Sequence, residues 1–282
     1  MAITNFIPEI WSAQLLGSLK KATVFGGPGV ANRNYEGEIS QAGATVKITS
    51  ISRPTVATYT KNSTSISPEN LTDAQRSLLI DQSKYFAFEI DDVDLRQSAN
   101  GGALMQEAAV EAAYALADTT DQYIAGLYTG VDSANAISTT PITTAALAIT
   151  NLINLKVKLD NANVPQQGRY VIVPPWYHGL LLGSDVFIRV DASGTDTALR
   201  NGVVGRAFGF DIYVSNNCVN VTGDDWIVQA GHPIALSYAE QITKVEAYRP
   251  ESAFSDALKG LHLYGAKLVR PTAIATLTAS IT

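Results

Sequence analysis

The residue types that most often carry catalysis or metal binding are few and scattered in this chain. The three histidines, His178, His232 and His262, lie far apart in sequence, and none belongs to an HExxH pair. The only cysteine, Cys218, excludes an intrachain disulfide and a zinc site of paired CxxC motifs. No GxSxG motif marks a nucleophile elbow. The sequence therefore predicts no catalytic site, no metal site and no cofactor.

Two further clusters could bind ligands, but each lacks part of the pattern that its chemistry needs. Residues 26–29 (Gly-Gly-Pro-Gly) resemble a phosphate loop but lack the GxxxxGK[ST] order, so we interpret them as a flexible joint. Asp91, Asp92 and Asp94 form the densest carboxylate cluster, without the central glycine and distal glutamate of a calcium loop. A solvated turn or an intersubunit salt bridge is the better interpretation of these carboxylates.

Composition favours a chain that buries much of its surface in itself or against copies of itself. Only 16% of the 282 residues are charged, against about 25% in typical soluble domains. The net charge is −6 and no cluster of lysine and arginine suggests a nucleic-acid patch, so direct DNA binding is not expected. No apolar run approaches the roughly 20 residues that cross a bilayer, so no membrane partner is expected.

The first element that the sequence predicts is a short amphipathic helix. The apolar residues of this segment are spaced so that they lie along one side of a helix. They include Ile7, Ile10, Trp11 and Leu15, at intervals of three, one and four positions. A helix of this length is marginal alone, so its apolar stripe must be covered by something else.

Residues 37–95 are rich in β-forming residues and predict a long two-stranded hairpin with a polar tip. The outward strand includes residues 45–49 and continues in strand-like residues 55–60, and the chain returns through residues 77–80 and 84–90. An isolated hairpin is at best marginally stable in water. The scarcity of large apolar residues between 52 and 76 favours packing on a neighbouring subunit over packing on the chain's own core.

A long helix and then alternating helices and strands complete the chain. The helix is predicted over residues 104–128, with Glu111, Asp118 and Asp121 on its polar side and Gly130 closing it. Further helices are predicted over 144–159 and 176–182. Strands are predicted over 169–173, 210–214, 226–229, 234–238, 243–249 and 261–269.

The order of these segments resembles the HK97-type major capsid proteins of tailed bacteriophages. The stretches that carry the resemblance, over nearly the whole chain, are residues 6–11 (FIPEIW), 71–73 (LTD), 80–88 (IDQSKYFAF), 91–94 (DDVD), 163–165 (NVP), 168–178 (GRYVIVPPWYH), 209–216 (GFDIYVSN) and 260–271 (GLHLYGAKLVRP). Each motif alone is weak, but their joint order is specific.

The resemblance implies an α+β, HK97-like fold and a division of the chain into known parts. These parts are an N-arm (1–36), an E-loop hairpin (37–95), the long spine helix of the P-domain (96–134), an A-domain (135–240) and closing strands of the P- and A-domains (241–282). The implied function is a coat protein, not an enzyme, that forms the hexamers and pentamers of an icosahedral head around double-stranded DNA. The implied location is the virion, with assembly in the host cytoplasm.

The resemblance also nominates residues for contacts and movement. The candidates for intersubunit contact are Ile7, Ile10, Trp11, Leu15, Tyr59, Lys61, Glu69, Asp91, Asp92 and Asp94, and the candidate hinges are Gly26, Gly27, Gly29, Gly101 and Gly102. A portal and a separate scaffolding protein are expected partners, the latter because the chain begins directly with the arm. Lys61 lies near the loop tip, but residues 251–282 contain no asparagine, which disfavours a Lys–Asn cross-link.

Two alternatives remain open at this point. An encapsulin-type nanocompartment shell would share the fold and enclose cargo enzymes. An α/β enzyme built on residues 140–240 would use Trp176, His178 and Asp185 as its best candidates.

Overall fold

A computed structural model describes residues 24–34, 45–51, 54–65, 68, 70, 73–92, 104–184, 206–252 and 254–282. The predicted N-terminal helix lies outside the described residues, as do Glu69, Asp94, Gly101, Gly102 and Asp185. The described residues form three α-helices and three β-sheets, of two, three and seven strands.

The predicted hairpin is present as a two-stranded antiparallel sheet. Strand β1 (Thr45–Ile51) pairs with β2 (Asp73–Leu79) in continuous register, from Thr45 opposite Leu79 to Ile51 opposite Asp73. The prediction that residues 55–60 continue the strand is wrong, because residues 54–60 adopt no regular structure. Pro54 at the start of this stretch has no N–H to donate to a neighbouring strand.

The long helix packs on a three-stranded antiparallel sheet. Strands β3 (Gln82–Asp91), β10 (Leu236–Tyr248) and β11 (Ser255–Leu268) lie in the order β10–β11–β3. Two strands predicted over 234–238 and 243–249 form the single strand β10. A register shift between Ile242 and Lys244 interrupts its pairing with β11, and such a bulge breaks the period-two pattern that defines one strand in a sequence.

Helix α1 (Leu104–Ala125) packs on this sheet and is about 33 Å long. Its small residues Ala109, Ala113 and Ala117 lie in one buried cluster with Val245 and Leu258 of the sheet. The predicted helix reached residue 128, but Gly126–Gly130 form a 3₁₀ segment instead. Glycine at both ends of that segment weakens continuation of the α-helix.

The largest sheet has seven strands and forms the centre of the remaining chain. Its order is β4–β12–β9–β5–β7–β6, and β8 pairs with β9. The strands are β4 (Ala136–Pro141), β5 (Tyr170–Val173), β6 (Arg206–Ala207), β7 (Phe210–Val214), β8 (Asn220–Thr222), β9 (Asp225–Gly231) and β12 (Ile274–Ser280). Strands β4, β6, β8 and β12 were not predicted. Strand β12 is buried on both faces at nearly every position, so its sequence shows no alternation.

Two helices cover this sheet, close to their predicted positions. Helix α2 (Ala145–Asn161) begins after Thr144, whose side chain accepts a hydrogen bond from the Leu147 amide. Helix α3 (Pro175–Leu182) has proline in its first turn, where no amide donor is needed. The buried side of α2 contributes Ala148, Leu152, Leu155 and Leu159 to the main core. None of the helices in the described ranges has both the length and the apolar character of a membrane span.

Candidate assembly surface

The tip of the hairpin presents apolar side chains to solvent at the end of a protrusion. All residues from 54 to 65 are exposed, and Val56 and Tyr59 are 94% and 65% exposed. The tip has its own turn, because the Thr60 carbonyl accepts hydrogen bonds from the amides of Ser63 and Thr64. Asn62 supports that turn with a left-handed φ of 61°. Tyr59 and Lys61, both predicted contact residues, therefore lie on a preformed and accessible tip.

The base of the hairpin is fixed on the three-stranded sheet. Leu78 is fully buried, and Arg76 donates a hydrogen bond of 3.4 Å to the Leu268 carbonyl. At Gly265 of β11 the crossing chain approaches so closely that a Cβ would overlap the Leu79 carbonyl and lie 2.9 Å from the Ile80 Cα. The exposed tip thus projects from a rigid base.

Residues 24–34 are held to helix α1 by one buried carboxylate. Asp121 Oδ1 accepts hydrogen bonds from the backbone amides of Val24 (2.9 Å) and Phe25 (2.7 Å), and Asn217 Nδ2 donates to Oδ2 over 3.2 Å. Burial raises the pKa of Asp121, and these hydrogen bonds only partly oppose the increase. We expected Asp121 on the polar side of the helix, but its residue is 2% exposed. Asp121 is buried because residues 24–34 pack against this side of the helix.

The other end of residues 24–34 is held by a buried ion pair. Arg33 pairs with Glu240 and lies 4.9 Å from the ring centroid of Tyr238, whose hydroxyl donates to Glu240 Oε2 over 2.7 Å. His262 Nε2 lies 3.7 Å from the same oxygen. Burial alone would raise the pKa of Glu240, but His262, Arg33 and Tyr238 outweigh it and lower the pKa to about 2.

The predicted hinge glycines Gly26, Gly27 and Gly29 lie between these two attachments. Phe25 and Val30, which flank them, are each 1% exposed. A Cβ at Gly29 would overlap the Tyr213 hydroxyl, so this glycine also permits close packing. The hinge role of these glycines stays a prediction.

Two residues of the predicted carboxylate cluster, Asp91 and Asp92, lie where β3 ends beside the β10–β11 turn. Asp92 pairs with Arg249, and its amide donates a hydrogen bond of 2.9 Å to the Phe254 carbonyl. The Phe254 side chain is 81% exposed. Asp92 therefore has a partner in its own chain, and the intersubunit role proposed for Asp91 and Asp92 stays a prediction.

The residues considered for catalysis are not arranged as an active site in the described part of the chain. Trp176 packs edge-on against Tyr177, and burial lowers the pKa of His178. Burial raises the pKa of the Cys218 thiol to about 12. Within the described ranges, no group of three or more His, Cys, Asp and Glu side chains could hold a metal ion.

Comparison with known proteins decides the family. A family model described as a phage capsid protein matches residues 74–277, well over half of the chain. The chain is a phage capsid protein. The predicted resemblance to phage major capsid proteins is confirmed, and so is the mixed helix and sheet class of the fold.

Solved structures similar to the capsid protein support the same assignment. A chain from Mycobacterium phage Che8 is 34% identical, with a TM-score of 0.74 and 98% of each chain covered. The capsid of cyanophage P-SCSP1u is 18% identical, with a TM-score of 0.70 and coverage of 86% of this chain and 85% of that one. A virus-like particle from Pyrococcus furiosus is 16% identical, with a TM-score of 0.59 and coverage of 95% and 98%. The last two show the fold alone. No curated protein matches the sequence.

Sequence reasoning missed the two attachments of residues 24–34. Asp121 and Glu240 bind groups that lie about a hundred or more positions away along the chain. No local spacing signals a contact of that kind, so neither carboxylate could be assigned from the sequence.

Proposed function

We propose that this capsid protein forms the hexamers and pentamers of an icosahedral phage head that encloses double-stranded DNA. In this proposal α1 is the HK97-like spine helix, residues 135–240 are the A-domain, and residues 1–36 and 37–95 are the N-arm and E-loop. The observation that carries the proposal is the exposed tip on a rigid base, with Val56 and Tyr59 in water among polar residues, found in a chain of the phage capsid family.

The physical driver is burial of surface that one subunit leaves in water. Val56 and Tyr59 stand at the end of a protrusion, where no part of the described chain covers them. Burying a Val or aromatic side chain is worth about 1.5–3 kcal/mol, so contacts by many tips sum to a stable shell while each stays reversible. The base of the hairpin transmits that contact to the body of the subunit.

The charge of the chain suits a container for DNA better than a binder of DNA. With a net charge of −6 and no basic cluster, the protein would enclose phosphates without trapping them. The portal and a scaffolding protein are the proposed partners in assembly.

Assembly of the purified chain tests the proposal. We expect shells by light scattering and electron microscopy, with the scaffolding protein added if the chain alone is insufficient. Tyr59→Asp should raise the protein concentration needed for assembly at least tenfold and leave the subunit folded. Ser65→Asp, at another exposed polar position of the tip, is the control for charge alone. A subunit that stays monomeric under all these conditions would contradict the proposal.

An encapsulin-type shell is the second candidate, and the similarity to the virus-like particle from Pyrococcus furiosus is what keeps it open. The 34% identity to a mycobacteriophage chain favours the phage head. The contents of native particles separate the two: nuclease-resistant DNA indicates a head, and an enclosed protein in fixed ratio indicates a compartment.

A further inference from the structure

One face of the capsid protein carries no charge over an unusual length of chain. Residues 133–155 contain no Asp, Glu, Lys, Arg or His, although the chain as a whole has 46 acidic and basic side chains. This stretch forms the edge strand β4 and most of helix α2. Helix α2 lies against the 3₁₀ segment Ser133–Asn135 that leads into β4, and Lys158 of α2 donates a hydrogen bond of 2.8 Å to the Ala134 carbonyl of that segment.

Helix α2 has aliphatic side chains on its outer face as well as in the core, and its charged residues, Lys156, Lys158 and Asp160, are confined to its last turns. One face fills the core, while Leu147, Ile153 and Val157 on the opposite face are 39%, 42% and 49% exposed. The remaining exposed side chains of α2 are also uncharged: Ala146, Thr150, Asn154 and Asn161. A helix at a permanent water surface normally carries charged side chains on its outer face, and a helix that is apolar all round is normally buried.

The strand beside α2 has the same character. Strand β4 is the edge of the seven-stranded sheet, and its exposed residues Ala136, Ser138, Thr139 and Pro141 are uncharged. Monomeric proteins usually protect such edges with charged side chains, because an open edge invites pairing with another chain. Leu182 at the end of α3, which packs against α2, adds another half-exposed aliphatic side chain.

We infer that this uncharged face, formed by the exposed sides of α2 and β4, is a contact between copies of the capsid protein in the shell. The inference rests on the proposed shell function and names a surface for it. The lack of charge on this face indicates which partner covers it. Copies that each carry a net charge of −6 repel one another at acidic surfaces, whereas two uncharged surfaces can meet without repulsion and without desolvating a charge. The two cations of α2, Lys156 and Lys158, lie in the last part of the helix and already have partners, Asp160 and the Ala134 carbonyl, so this face offers no basic cluster to the phosphates of DNA.

A matched pair of valines allows a direct test. Val157 on α2 and Val221 on β8 are both 49% exposed, and only Val157 lies on the uncharged face. The variants Val157→Cys and Val221→Cys are assembled into shells from the purified chain and labelled with a small maleimide. Cys218 is 4% exposed and contributes little background. We expect at least tenfold slower labelling of Val157→Cys in shells than in free subunits, and less than a twofold change for Val221→Cys.

A second pair of variants checks the energetic role of the face. Val157→Glu should raise the protein concentration needed for assembly at least tenfold, with an unchanged melting temperature of the free subunit, while Val221→Glu should assemble like the unsubstituted chain. Equal labelling of Val157→Cys in shells and free subunits would overturn the inference even if shells form normally. Protection that appears only in whole virions would also overturn it, because another virion protein would then cover the face. If the unsubstituted chain forms no shells, the proposed function fails first and the contact fails with it.

Discussion

Replacing Asp121 by alanine should release the attachment of residues 24–34 to helix α1. The substitution removes the acceptor of two backbone amides, Val24 and Phe25, and of the Asn217 side-chain amide. A buried donor left without a partner costs about 1–3 kcal/mol. Water entering the space would accept hydrogen bonds from some of these donors, so we expect a loss of about 2–4 kcal/mol in the free energy of unfolding.

Urea unfolding of free subunits at pH 7 measures this loss. Glu111→Ala is the control on the same helix, since Glu111 is exposed, and it should change the free energy of unfolding by less than about 0.5 kcal/mol. Asp121→Asn keeps one carbonyl acceptor but places an NH₂ group opposite Asn217, so its loss should be smaller than that of alanine. A loss below about 0.5 kcal/mol for Asp121→Ala would refute the reasoning.

The dependence on pH gives a second, independent check on Asp121. Its pKa is raised in the folded chain, so the folded state binds the proton more tightly than the unfolded state does. The carboxyl therefore contributes most below its ordinary pKa, and this contribution is lost as the pH rises through the raised value. The advantage of the unsubstituted chain over Asp121→Asn should accordingly be smaller at pH 7 than at pH 4.

Three further changes test the packing and electrostatics of the subunit. Gly265→Ala should cost more than about 2 kcal/mol in urea unfolding because its Cβ would overlap backbone, whereas Gly126→Ala, with open space around it, should cost nothing measurable. Glu240→Gln should cost about 3 kcal/mol at pH 7, because a neutral amide replaces the carboxylate that Arg33, Tyr238 and His262 contact. Because the pKa of Glu240 is lowered to about 2, the stability difference between the unsubstituted chain and Glu240→Gln should be complete above pH 4.5 and vanish as the pH falls towards 2. A stability difference that stays constant with pH would contradict this role of Glu240. Cys218 should react with thiol reagents at pH 8 only after unfolding, and rapid native labelling would contradict its burial.

Local patterns predicted the elements that bury one face and leave the other in water. Helix α2, with Leu152, Leu155 and Leu159 on one side, was placed within two residues at each end, and β7 was placed at its observed bounds. Patterns failed where an element is buried on both sides or interrupted. Strand β12 lacks alternation because it lies inside the largest sheet, and β10 was divided by its bulge.

Of the two surfaces proposed for assembly, one was predicted from the sequence and the other was not. The exposed hairpin tip was predictable, because a long stretch without large apolar residues cannot build a core of its own. The outer face of α2 was not predicted, because helical spacing does not separate the exposed residues Leu147, Ile153 and Val157 from the aliphatic residues that fill the core. Only the three-dimensional arrangement separates the two sets, since both fit a helical period.

Residues 24–34 lie in the last third of the predicted N-arm (1–36), between the earlier part of the arm and the hairpin, the two segments that were predicted to reach other subunits. Asp121 holds one end of this connection and Glu240 holds the other, with Phe25 and Val30 buried between. Rotation about Gly26, Gly27 or Gly29 would have to break one of these attachments or withdraw a buried side chain. A hinge at these glycines thus implies a barrier set by the two carboxylates, whereas movement beyond either end of the segment would leave both attachments intact. The arm and the hairpin are therefore best regarded as two extensions of one fixed anchor on each subunit.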